Sequence, residues 1–170
     1  MSTSDWVAKN IRGGKELSGD TLSLVADFTL MWALFEGTEV HGENRVVIDE
    51  LTQIAARVAG RFPQELLGKY VDYWAHRYIE GGETNHRFEK LHFTHDPHKI
   101  IVKNVLTGNE KNAQRMIHAL LLIIYRLRNN LFHGEKDVHQ LDGQRENFKQ
   151  ACNVIKTVLE SSGRYIFYNA

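Results

Sequence analysis

Apolar residues recur at helical spacing along most of the chain. Leu24, Val25, Phe28, Met31, Trp32 and Phe35 repeat at intervals of three and four, which predicts a helix over 19–36 closed by Gly37. Val47, Ile48, Leu51, Ile54, Ala55 and Val58 predict a second over 44–59, stopped by Gly60. Pro63 opens a third, with Leu66, Leu67, Tyr70, Val71, Trp74 and Tyr78 on one face and Gly81-Gly82 breaking it. Residues 83–96 give no clear period and read as a short helix or a loop. Asp96-Pro97 reads as a cap followed by a first-turn proline, opening a short helix to Leu106. Asn109 is the expected cap of a long helix over 110–131. Its middle is apolar nearly all round, so it should be the most buried element. Gly134 suits a left-handed stop. A last long helix is expected over 143–161, with Phe148, Ala151, Cys152, Ile155, Val158 and Leu159 toward the core. The tail Tyr165-Ile166-Phe167-Tyr168 reads as a short extended segment, and no alternating strand pattern stands out elsewhere. The fold class is therefore an all-α bundle of about five to seven helices over 18–170, preceded by a polar arm over 1–17.

Composition narrows this picture in three ways. Lys plus Arg and Asp plus Glu are 21 each, so the formal charge is zero. That argues against a bulk electrostatic grip on nucleic acid, which wants a basic surplus. The basic charge is nevertheless uneven: residues 103–136 carry six Lys and Arg against Glu110 and Glu135, a local surplus of +4. The single cysteine, Cys152, leaves no internal disulfide and fits a reducing cytoplasm. The start, Met1-Ser2-Thr3-Ser4-Asp5-Trp6, has no signal-peptide pattern, and the apolar run over 116–124 is too short to span a bilayer. A cytoplasmic protein with no membrane partner is the expectation.

Chemistry concentrates at the end of the long helix. Ala119-Leu120-Leu121-Leu122-Ile123-Ile124 leads into Tyr125-Arg126-Leu127-Arg128-Asn129-Asn130-Leu131-Phe132-His133-Gly134-Glu135-Lys136. Two arginines, two asparagines and a histidine fall within eight positions. Arginine offers a permanent charge and a forked set of donors. Histidine is the side chain whose ordinary pKa lies near neutrality. Together they suffice for metal-free chemistry at a phosphodiester. The plainer reading is that Arg, Asn and His near a helix C-terminus cap carbonyls and meet the negative end of the dipole.

This stretch resembles the HEPN superfamily, whose motif is Arg, a polar residue, a few more positions, then His. Arg128, Asn129 and His133 match it in order, and Arg126 fits the looser form. The resemblance implies an HEPN-like helical domain with metal-independent endoribonuclease activity and no cofactor. The RNA's own 2′-hydroxyl would attack the adjacent phosphate. His133 would carry the proton, Arg128 would stabilise charge at phosphorus, and Asn129 would orient the imidazole or hold a phosphate oxygen. Arg126, Asn130 and Lys136 are the candidate substrate-binding residues. On an ideal helix His133 lies about 20° from Arg126 and about 40° from Asn129, but about 140° from Arg128. Either the helix distorts before Gly134, or two chains cooperate. The resemblance favours the second, because HEPN domains commonly pair their motifs at a two-fold interface. A stand-alone domain of this size is similar to toxin or defence members, restrained by a cognate antitoxin or regulatory protein. Other members are non-catalytic modules that bind a nucleotide or a protein, and that is the alternative reading.

A second cluster holds His86, His92, His95 and His98 with Glu89 and Asp96, and within it His92, His95 and His98 recur every three residues, a spacing that can gather zinc. Pro97 interrupts any helix that would align them, so a solvated polar loop is the better reading and no metal ligand is assigned. His118, inside the apolar run, is expected to be a hydrogen-bonded core histidine.

Overall fold

The computed structural model describes residues 1–11, 13–40, 46–132 and 141–164. Among them the chain is an all-α bundle with eight helices and one two-stranded ribbon. The helices are α1 (Thr3–Asn10), α2 (Gly19–Glu39), α3 (Val47–Val58), α4 (Gln64–Tyr78), α5 (His86–Glu89), α6 (Asp96–Leu106), α7 (Ala113–Phe132) and α8 (Arg145–Ser162). The ribbon pairs β1 (Ile79–Glu80) with β2 (Glu83–Thr84) in antiparallel register.

The order of burial follows the hydrophobic pattern. Helix α7 is the central element, with Ile117, Ala119, Leu120, Leu121, Leu122, Ile123, Ile124 and Leu127 all buried. Helices α3, α4 and α6 pack against it, and α2 lies along α8. The stripe of α3 buries Leu51, Ile54, Ala55 and Val58, as its period predicts. Phe28 of α2 meets Phe148 of α8 with ring centroids 5.4 Å apart. Cys152 is buried there, and desolvation pushes its thiol up to about 11.

Several boundaries differ from the sequence expectation, each for a local reason. The arm over 1–17 holds α1, where Ser2 and Asp5 form a capping box. None of its residues is buried, so no hydrophobic stripe announced it. Gly37 does not end α2, which runs on to Glu39. Glu39 is buried and pairs with Arg57 of α3, an interaction that carries the helix past the glycine. Helix α7 begins later than Asn109: Asn112 is the cap, its Oδ1 accepting from Arg115 N at 3.2 Å. Asn109 instead donates to Thr107 Oγ1 in the preceding turn. Asp96 is the first residue of α6 rather than its cap.

Gly81-Gly82 does more than break α4. Both residues have positive φ, 60° and 82°, as a two-residue hairpin turn requires, and the chain doubles back as β1 and β2. Asn85 then caps α5, its Oδ1 accepting from Arg87 N and Phe88 N, while its Nδ2 donates to Arg77 O at 3.0 Å. This folds the segment after α4 back over the end of α4 and beside the end of α7. At the far end of α8, Gly163 has φ 68°, and a Cβ there would lie 2.9 Å from Arg61 Nη1. The Arg61 guanidinium donates to Ser162 O, so it closes the helix.

Candidate functional site

The C-terminal end of α7 sends its polar residues in two directions. Arg126 and Asn130, one turn apart, reach the segment after α5. Arg126 Nε donates to Leu91 O at 2.8 Å, and Asn130 Nδ2 donates to Lys90 O at 2.9 Å. The two bonds staple that segment to the central helix. Arg128 turns toward α2 instead. Its guanidinium carbon lies 5.9 Å from the Trp32 ring centroid, and its Nη1 donates to Asn129 Oδ1 at 3.1 Å. Asn129 and Asn130 are buried, and Arg126 and Arg128 are half-buried.

The helical wheel groups Asn129 with Arg126, and the resemblance gives it the imidazole or a phosphate oxygen to hold. Its carbonyl oxygen is instead committed to Arg128, and Asn130 is the residue that shares Arg126's work. His133, Gly134 and Lys136 lie outside the described residues, as does the tail over 165–168.

Beside the Arg126–Asn130 staple lies a cavity of about 360 Å³. Leu127 and Asn130 of α7 line it, together with Tyr78, Leu91 and Gln144. Arg77, Arg87 and Lys90 supply three permanent positive charges, with His86 and His92 also on its wall. No carboxylate lines it among the described residues. The neighbouring acids are engaged elsewhere: Glu89 pairs with Lys99 at 2.7 Å and Glu83 with Lys103 at 2.5 Å. His92 has φ 52°, the one positive φ outside glycine among the described residues. Such a conformation is uncommon for a residue with a Cβ, and it sets the course of the backbone at the cavity edge.

The histidine cluster divides. His92 lines the cavity, whereas His95 and His98 meet each other at the start of α6 with ring centroids 4.9 Å apart. His98 also approaches His118 at 6.4 Å. Among the described residues no group of three or more His, Cys, Asp or Glu is placed to hold a metal ion.

His118 is the core histidine expected. Its Nε2 lies 3.2 Å from Thr52 Oγ1, and its Nδ1 is buried with no hydrogen-bond partner among the described residues. Burial, then His98 and Arg115, push its pKa down to about 4 from 6.5. Burial and His95 lower His98 too, against an opposing pull from Asp49. The unfolded chain therefore binds more protons than the folded one between about pH 6.5 and pH 4. Stability should be level above pH 6.5 and fall as the pH drops through that window, by on the order of 2–3 kcal/mol from His118. Urea melts across pH 4–7 of the parent and of His118→Gln, which can keep the bond to Thr52, should show a shallower slope in the variant.

Arg77, Arg87 and Lys90 were not singled out in the sequence. The available signal was an indirect one: Arg87 and Lys90 sit in a stretch with no hydrophobic period, next to a glycine pair suited to a hairpin. The hydrophobic period of α2 marks Trp32 only as a core residue, and its contact with Arg128 depends on how α2 packs.

No protein-family model matches the chain, and neither a curated protein nor a solved structure matches it. No helix among the described residues is long and apolar enough to cross a membrane.

Proposed function

We propose that this chain is a metal-independent endoribonuclease of the HEPN type. The reading rests on the motif resemblance and is supported by one structural observation. Asn130, at the polar end of α7 that also carries Arg126, Arg128 and Asn129, lines a cavity whose described lining is basic and free of carboxylates. In the proposed reaction the 2′-hydroxyl of the RNA attacks the adjacent phosphorus and loses its proton to a base. The bond to the 5′-oxygen of the next nucleotide breaks, and that oxygen gains a proton. The products are a 2′,3′-cyclic phosphate and a free 5′-hydroxyl. His133 is the proton carrier. Arg128, held between Trp32 and Asn129, stabilises the charge that grows on the phosphate oxygens. Arg126, Asn130 and Lys136 serve substrate binding. DNA lacks the internal nucleophile and is not cleaved.

The partners that go with this reading are RNA, a second copy of the chain and a cognate antitoxin or regulator, in a toxin or defence role. Purified protein should cleave RNA in EDTA and leave the cyclic phosphate and 5′-hydroxyl ends. The same preparation should scatter light as a dimer at micromolar concentration. Cleavage lost in EDTA and restored by added metal would overturn the mechanism.

One observation favours a second reading, a non-catalytic nucleotide- or protein-binding module. Asn130 and Arg126 spend donors on backbone carbonyls, and Asn129 is buried against Arg128, which are packing duties. The end analysis of the RNA separates the two.

A further inference from the structure

The cavity beside the end of α7 holds more positive charge than the fold uses. Neither Arg87 nor Lys90 makes a side-chain ion pair among the described residues, and both side chains are exposed. Arg77 is half-buried, and its Nε has no hydrogen-bond partner among the described residues. Its Nη2 reaches Gly143 O only at 3.5 Å, while its guanidinium carbon lies 5.9 Å from the Tyr78 ring centroid. Three like charges around one concavity repel one another unless an anion enters. The backbone is organised to keep them there: the Gly81-Gly82 turn and the Asn85 cap set α5 on the end of α4, and Arg126 and Asn130 hold its far side.

We propose that this cavity is a phosphate-binding subsite for an RNA strand, with Arg77, Arg87 and Lys90 as its cations. The proposal rests on the ribonuclease reading for the identity of the strand. The basic wall takes a backbone phosphate, and Asn130 joins it to the helix that carries the motif. The subsite would hold the strand beside the motif helix and act in binding rather than in the chemical step.

The test uses 2′-O-methyl RNA of roughly ten nucleotides, long enough for a single-strand site and unable to supply the 2′-hydroxyl. Binding is followed by fluorescence anisotropy for the full chain and for the double variant Arg87→Ala/Lys90→Ala. Both side chains are exposed, so the fold should survive, and circular dichroism checks that it does. The double variant should bind at least about tenfold more weakly, and its log K against log salt slope should shrink by about 1.4. The control Lys149→Ala/Lys156→Ala, on α8 and outside this cavity, should bind like the parent. Parental affinity in the Arg87/Lys90 variant, or an equal loss in the α8 control, would overturn the subsite. So would a mononucleotide 5′-phosphate that binds as tightly as the strand, since the cavity would then be a small-ligand site. The outcomes stay separable from those of the ribonuclease reading. A parent that cleaves unmodified RNA while the double variant keeps full binding sinks the subsite alone. A parent that binds through Arg87 and Lys90 but never cleaves sinks the ribonuclease alone.

Discussion

His133→Ala should abolish RNA cleavage and leave the fold intact. Loss of a positioned proton carrier lowers the rate by ~10²–10⁴-fold. The residue follows directly on the last residue of α7, where loss of a polar group at a helix end costs about 1 kcal/mol or less. A single-turnover assay with saturating enzyme, run beside circular dichroism melts, separates the two effects. Arg128→Ala should fall by ~10²–10³-fold through lost stabilisation of phosphate charge. Asn129→Ala should be milder, because Asn129 acts by holding Arg128 Nη1 and Trp32 remains as a second support. Arg126→Ala should act differently again. Its bond to Leu91 O secures the segment that carries Lys90 and His92, so it should weaken RNA binding more than it slows bound-substrate cleavage. If His133→Ala cleaves at the parental rate, the ribonuclease reading is wrong and the binding-module reading replaces it.

Helix α7 shows how much of the fold was legible. Its run of apolar residues has no polar face in the middle, and only a helix surrounded by others can bury that, so its central place followed from the pattern. The stripe of α3 was equally clear. Features made by hydrogen bonds between polar side chains and backbone were harder to read. Helix α1 buries nothing and depends on a Ser2–Asp5 capping box. The start of α7 depended on whether Asn109 or Asn112 bonds the first free amides, and composition does not distinguish two asparagines three residues apart.

The candidate site splits along the same line. Arg126, Arg128, Asn129 and Asn130 are sequence neighbours on one helix, so their gathering was visible. The helical wheel also set Arg128 apart from Arg126, but their partners were not visible, because the wheel fixes the Cα direction and does not say that a ring on α2 or a carbonyl after α5 will meet the side chain. The basic cavity was invisible for a different reason. Arg77 lies at the end of α4 whereas Arg87 and Lys90 lie on and just after α5, and only the hairpin turn and the Asn85 cap bring them together beside Asn130. Net charge hid it as well, because the pairing of Glu83 and Glu89 with nearby lysines balances the total without neutralising the cavity.

Trp32→Ala should cost more than a core cavity usually does in function. Trp32 is 3% exposed, and its ring packs 5.3 Å from Phe35 and 6.1 Å from Tyr125. Its removal should destabilise the fold by about 3–5 kcal/mol. It should also release Arg128 from the ring that the guanidinium faces. A misplaced catalytic cation can lower the rate by up to ~10²-fold, so activity per folded molecule should drop along with stability. Trp32→Phe separates the two effects. It keeps an aromatic face for Arg128 and loses the Nε1 donor to Glu36 Oε2, a 2.8 Å bond worth about 1–2 kcal/mol. That variant should melt earlier yet cleave near the parental rate at a temperature where it is folded. The measurement is single-turnover cleavage for both variants, normalised to the folded fraction from the melt. If both cleave at the parental rate per folded molecule, Trp32 is a packing residue only, and the position of Arg128 does not depend on it.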